Sequence, residues 1–174
     1  MGSVTQQTSL TPWLKKIIDV YDLFIAHGDE ANAKKAKQLL EKTANKQFAI
    51  AFCGHFSAGK SSMINALLGE PLLPSSPIPT SANLVKVKSG QEYVRVFYKH
   101  EPPAEYEPPY DLELIRAQCK DGDVIEWIEI SRQTSSIPNG VVIMDTPGID
   151  STDDAHRLAT ESALHLADVV FYMM

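Results

Sequence analysis

The sequence predicts an α/β domain preceded by a helical hairpin, and three observations carry that reading. Short apolar runs of strand length, "FAIAFCG", "VIEWIEIS" and "NGVVIMD", alternate with segments of helical period along residues 48–174. The glycine-bearing stretch "GHFSAGKSS", residues 54–62, lies between the first of those runs and a helical segment. Ahead of all this, residues 11–44 carry only helical signals.

Composition narrows the setting. The 174 residues suffice for a domain with a buried core, and 44% hydrophobic against 22% charged residues is an ordinary globular mix. A formal net charge of −6 argues against a nucleic-acid partner, which needs clustered Lys and Arg. Cys53 and Cys119 form no C-x-x-C pair, so neither a zinc site nor a disulfide scaffold is suggested and a cytoplasmic setting is expected. No apolar run approaches the roughly 18 residues of a membrane span, and the N-terminus lacks the apolar core of a signal peptide.

In chain order, "TPWLKKIIDVYDLFIAHG" places Thr11 as a cap, Pro12 at the first helical position and Gly28 at the exit. Leu14, Ile17, Ile18, Tyr21, Phe24 and Ile25 share one face, expected to be buried against other helices. A second, Ala- and Lys-rich helix is expected over 29–44. "FAIAFCG" then reads as a strand, and "KSSMINALLG" as a helix with Met63, Ile64, Leu67 and Leu68 on one face and Gly69 as its stop. "NLVKVKSGQEYVRVFYKH" reads as two strands around a Ser89-Gly90 turn, and "EPPAEYEPPY" as an exposed loop. A short helix at "DLELIRAQ", strands at "VIEWIEIS" and "NGVVIMD", a helix at "DAHRLATESALHLA" and a strand at "DVVFYMM" complete the chain.

The stretch at 54–62 satisfies G-x-x-x-x-G-K-[S/T], and its flanks are the strand and helix that this pattern requires. Glycines in a strand-to-helix turn let successive N–H groups point at a phosphate chain, and the helix N-terminus adds its positive end. Gly54, His55, Phe56, Ser57, Ala58, Gly59, Lys60, Ser61 and Ser62 form the expected cradle, with Lys60 reaching the outer phosphates and Ser61 ligating Mg²⁺. A second element, "VVIMDTPG", ends a strand in Asp145, suited to hold Mg²⁺ through water, and places Gly148 to meet a γ-phosphate. The two together specify a P-loop NTPase that senses the terminal phosphate.

"GHFSAGKSSMINALLG", "LLPSSPIPTSA" and "MDTPGID" resemble the opening half of a dynamin-superfamily GTPase domain, in the style of the bacterial dynamin-like proteins. The resemblance covers about residues 46–174, and it implies that residues 1–45 form a neck-like helical hairpin. It implies an enlarged GTPase domain with an incomplete sheet here, because the guanine-reading [N/T]-K-x-D motif is expected beyond "VVFYMM". It further implies GTP and GDP as ligands with Mg²⁺, and a monovalent cation near Ser57. Self-association through the GTPase domain, and membrane remodelling by regions outside these residues from a peripheral position, follow from it as expectations.

For the first switch, the resemblance implies by the count from Leu73-Pro74 that Ser81 stands where relatives have the Mg²⁺-binding threonine, with its neighbour Thr80 as the alternative. The 85 positions from Lys60 to Asp145 must house extra strands and a helix, as the enlarged domain does. Where some GTPases orient water with a glutamine after the glycine, this chain has Ile149, so positioning falls to backbone groups, Ser57, a cation or a partner subunit. His55 is expected as a surface side chain, Cys53 as a buried one, and Asp150, Asp153 and Asp154 as a solvated loop. The competing readings are a nucleotide-binding scaffold without turnover and a GTPase of another class, such as a ribosome-assembly factor.

Overall fold

The computed structural model describes residues 12–74, 83–111, 117, 124–149 and 154–174, with the backbone alone at 154–156. These residues divide into two compact units between Gln47 and Phe48.

The first unit is a pair of helices, α1 (Pro12–Ala26) and α2 (Glu30–Ala44). Pro12 opens α1, where its missing N–H costs nothing, and Gly28 leaves the helix at φ +69°. Asp29 then caps α2, its Oδ1 accepting from the Asn32 backbone N–H at 3.1 Å. Ala33 and Ala36 of α2 are buried, whereas Leu14, Ile17, Ile18, Tyr21 and Phe24 of α1 are only half-buried and Ile25 is 52% exposed. The expected burial of this stripe is therefore partial, because small α2 residues face it and cover less than a larger helix layer would. Thr11, expected as the α1 cap, lies outside the described residues.

The second unit is built on a seven-stranded sheet: β1 (Phe48–Gly54), β2 (Leu84–Ser89), β3 (Tyr93–Tyr98), β4 (Ala104–Tyr106), β5 (Ile125–Arg132), β6 (Val141–Asp145) and β7 (Val169–Met173), in the order β4-β3-β5-β2-β6-β1-β7. Among the described residues, helices α3 (Lys60–Leu68) and α4 (Asp154–Leu166) accompany it. Strand β1 is parallel to both β6 and β7, while β2 is antiparallel to β6 and parallel to β5. One face packs Phe52, Val85, Val87, Ile128 and Ile130 with Ile64 and Leu68 of α3. The other packs Ala51, Cys53 and Met144 with Ala163 and Leu166 of α4.

One expectation is met with an added detail, and one changes. Strands β2 and β3 follow one another across Ser89-Gly90 but do not pair, since β5 lies between them and hydrogen-bonds both. Ile128 and Ile130 of β5 are fully buried, and a strand this apolar gains most from an interior place in the sheet. The proline-rich stretch is not all loop, because Ala104–Tyr106 forms the edge strand β4, where Arg95 of β3 pairs with Glu105. Its prolines flank the strand at the sheet edge, where an absent N–H breaks no ladder. The helix expected at "DLELIRAQ" falls almost wholly outside the described residues.

Candidate functional site

Strand β1 delivers the chain to Gly54 at φ +149°, where a Cβ would stand 2.1 Å from the Met173 carbonyl oxygen of β7. Only glycine allows the two strands to lie this close at the start of the loop. Ser57 follows with φ +60° and Gly59 with φ +87°, so the loop turns through two left-handed residues before α3 begins. Gly59 caps α3 without a side-chain hydrogen bond, and no cap side chain competes for the first N–H groups of the helix.

Lys60 heads α3 and is buried, with its Nζ donating to the Gly54 carbonyl at 3.0 Å and the His55 carbonyl at 2.8 Å. The ammonium thus lies inside the loop it is expected to serve. Ser61 comes next, and its Oγ donates to Asp145 Oδ2 at 2.6 Å. Asp145 ends β6, with Phe52 of β1 and Val85 of β2 as its register partners on either side. Burial pushes its carboxyl up to about 6, against the opposing pull of the Ser61 hydroxyl and the Lys60 charge. Its Oδ1 is buried with no hydrogen-bond partner.

That orphaned oxygen beside a serine hydroxyl is a donor set for a hard divalent cation. Among the described residues no group of three or more His, Cys, Asp or Glu side chains could hold a metal. A cation held by this pair would need further oxygen ligands from outside it, as Mg²⁺ completes its shell with water and phosphate or hydroxyl oxygens.

The segment after β6 is tied to the loop. Thr146 Oγ1 donates to the Phe52 carbonyl at 2.9 Å, and the Ile149 N–H donates to the Gly54 carbonyl at 3.2 Å. Gly148 packs on Phe56 so closely that a Cβ would meet the Phe56 nitrogen at 3.0 Å. Gly54, Lys60, Ser61, Asp145 and Gly148 are thereby brought to one end of β1 and β6. His55, Phe56, Ser57 and Ser62 are exposed along the same loop and helix start, with Ala58 half-buried. His55 Nε2 also lies 3.3 Å from the Tyr172 hydroxyl of β7. Cys53 is buried as expected, and burial pushes its thiol up. Thr80, Ser81, Asp150 and Asp153 lie outside the described residues.

Two contacts at this end had no signal in the sequence reading. One is the His55–Tyr172 contact between loop and edge strand. The other is Asn65 of α3, whose amide donates to the Leu73 carbonyl and accepts from the Leu73 N–H, both at 2.8 Å. A groove of about 660 Å³ lined by Ser89, Glu92, Thr134 and Asn139 lies at the opposite end of the sheet and contains none of the site residues. No helix among the described residues is long and apolar enough to cross a membrane.

Residues 50–174 match the family described as "Dynamin family". Dynamin-like protein A of Bacillus subtilis (strain 168) is 47% identical over 161 residues, covering 92% of this chain and 14% of that protein. Dynamin-like protein 1 of Campylobacter jejuni is 28% identical over 184 residues, covering 84% of this chain and 25% of that protein. The chain thus spans a minor part of the length of these relatives. A solved structure of an oligomerised bacterial dynamin pair, described as a mechanism for long-range sensing and tethering of membranes, superposes with TM-score 0.59 at 22% identity, covering 94% of this chain and 34% of that one. The family match spans 50–174, well over half of the chain, and the chain belongs to the dynamin family.

Proposed function

We propose that this chain carries the phosphate-gripping half of a GTPase site that binds GTP with Mg²⁺, and that the longer protein it represents hydrolyses the nucleotide. The observation that carries this reading is the Ser61–Asp145 pair at the head of α3, with the unpartnered Asp145 Oδ1 beside it and Lys60 one residue away. Ser61, Asp145 and a first-switch hydroxyl from Ser81 or Thr80 would hold Mg²⁺, which when bound would supply charge neutralisation at the outer phosphates.

The chain's own groups do the rest. The N–H groups from Ser57 to Ser62 surround the phosphates, and the Lys60 ammonium leaves the Gly54 and His55 carbonyls to reach them. Gly148 offers its N–H to the terminal phosphate. Ile149 cannot orient water, so positioning of the attacking water would fall to backbone groups, Ser57, a bound cation or a partner subunit. Dynamin-family membership and the similarity in fold to an oligomerised bacterial dynamin pair that tethers membranes support coupling of this cycle to self-association and membrane remodelling, at a peripheral membrane location. The hairpin of α1 and α2, about residues 1–45, serves as a neck ahead of the GTPase portion at 46–174.

A second reading, a nucleotide-binding scaffold without turnover, is favoured by Ile149 alone. The two separate on Lys60→Ala in the longer protein. Loss of the charge facing the outer phosphates abolishes GTP hydrolysis if the enzyme reading holds, and wild-type-like turnover in that variant sinks it.

A further inference from the structure

Helix α3 is tied to the sheet at both of its ends. At its head the Ser61 hydroxyl donates to Asp145 of β6, and the register partner of Asp145 in β2 is Val85. Further along β2, Ser89 is the register partner of Arg132 in β5, so Arg132 stands at the end of the sheet remote from Asp145. Strand alternation brings Ile128, Ile130 and Arg132 to one face. Ile128 and Ile130 pack there with Ile64 and Leu68 of α3.

At that far end Arg132 meets Glu70, the first residue past the Gly69 that closes α3. The Arg132 Nε and Nη2 donate to Glu70 Oε1 and Oε2 at 3.2 and 2.8 Å, and Nη1 donates to the Tyr110 hydroxyl at 2.6 Å. A two-point pair of this kind fixes direction as well as distance, which the single ammonium of a lysine does not. Asn65 makes the link from Glu70 to the helix stiff. Its amide clamps both the carbonyl and the N–H of Leu73 at 2.8 Å, which closes residues 69–73 into a loop on α3. Glu70 lies inside that loop, and it moves with the helix.

The two residues that α3 brings to the phosphate end respond differently to a shift along the sheet. The Lys60 ammonium ends a long flexible stem and keeps the Gly54 and His55 carbonyls within reach. The Ser61 hydroxyl stands on one carbon and follows the helix backbone, whereas Asp145 stays with β6. An O–H···O bond needs about 2.5–3.0 Å, so a slide of about 1 Å opens the Ser61–Asp145 pair. We infer that Arg132 is a positioning residue, which by holding Glu70 fixes α3 along the sheet and so sets the distance between the Ser61 hydroxyl and the Asp145 carboxylate. Its consequence rests on the nucleotide reading, while the brace itself is present without nucleotide.

The test compares the 174-residue chain as wild type, Glu70→Gln, Arg132→Lys, Ser61→Ala and the double variant Glu70→Gln/Ser61→Ala. Hydrogen exchange of the α3 peptide is read without nucleotide, with the β6 peptide as the control for global unfolding. Exchange about fivefold or more faster at α3 in Glu70→Gln and Arg132→Lys, and unchanged at β6, supports the brace. Exchange at α3 equal to wild type in Glu70→Gln overturns it, and so does equal acceleration at α3 and β6. Titration with a non-hydrolysable GTP analogue, with Mg²⁺ and with EDTA, then reads the consequence. Glu70→Gln and Arg132→Lys keep their affinity in EDTA within about twofold and lose about fivefold or more of the Mg²⁺-dependent gain. Ser61→Ala loses the same gain, and adding Glu70→Gln to it costs nothing further. An equal loss with and without Mg²⁺, or a further loss in the double variant, leaves Arg132 a structural role alone and overturns the inference. Failure of the wild type to bind the analogue defeats the nucleotide reading, and exchange at α3 still decides the brace.

Discussion

Ser61 and Asp145 are 84 positions apart in sequence and joined by a 2.6 Å hydrogen bond from Oγ to Oδ2. The bond spans the first turn of α3 and the end of β6, which share no local sequence. It satisfies one carboxylate oxygen and leaves the other buried without a partner. A carboxylate kept this way opposes folding at neutral pH, and its retention makes sense as a cation ligand held ready.

That tension sets a pH dependence. The folded carboxyl is raised to about 6 from the ordinary 3.8, so its favourable contribution is fully present below about pH 4 and is lost as pH rises through about 6. The loss amounts to about 3 kcal/mol by linkage. Asp145→Asn removes it. In metal-free buffer the thermal midpoint of Asp145→Asn is expected to equal or fall below wild type near pH 4 and to exceed it by several degrees near about pH 7.5. A difference that does not grow across that interval contradicts the burial argument.

The proposed first-switch ligand is one of two neighbouring hydroxyls, Ser81 or Thr80. Ser81→Ala in the longer protein is expected to lower turnover by about tenfold or more while lowering GTP affinity less, and Thr80→Ala to do less on both counts. Steady-state kinetics beside equilibrium binding reads the order. A reversed order assigns the ligand to Thr80.

Strand β7 has β1 as its hydrogen-bonded neighbour in the sheet order and occupies an edge. Val169, Val170, Phe171 and Tyr172 are 38–52% exposed, and Met63 and Leu67 of α3 and Leu164 of α4 are exposed as well. An uncharged edge strand of this kind pairs readily with another chain. Light scattering of the 174-residue chain is expected to report concentration-dependent association that Phe171→Lys reduces. A monodisperse monomer at high concentration counts against it.

The loop, its flanking strand and helix, and the Asp145–Gly148 segment were legible because each depends on local chemistry: glycines at left-handed positions, an apolar run of strand length, and a helix stop at Gly69. Strand order was not. Ser89-Gly90 joins β2 to β3 in sequence, yet burial of Ile128 and Ile130 draws β5 between them, a choice made by the whole sheet. Ala104–Tyr106 pairs as an edge strand despite flanking prolines, since an edge tolerates them. The Asn65–Leu73 clamp is invisible at the level of motif because an asparagine in a helix has no spacing signature. Partial exposure of the α1 stripe follows from the small residues of α2, which periodicity does not weigh.

The proposed phosphate grip needs both Lys60 and a divalent cation at Ser61 and Asp145. The most direct measurement is calorimetric titration of the 174-residue chain with a non-hydrolysable GTP analogue, with Mg²⁺ and with EDTA, in wild type and Lys60→Ala. Binding in wild type that weakens by about tenfold or more in EDTA and disappears in Lys60→Ala is the predicted result. Binding that is indifferent to Mg²⁺, or that survives in Lys60→Ala, contradicts the central claim.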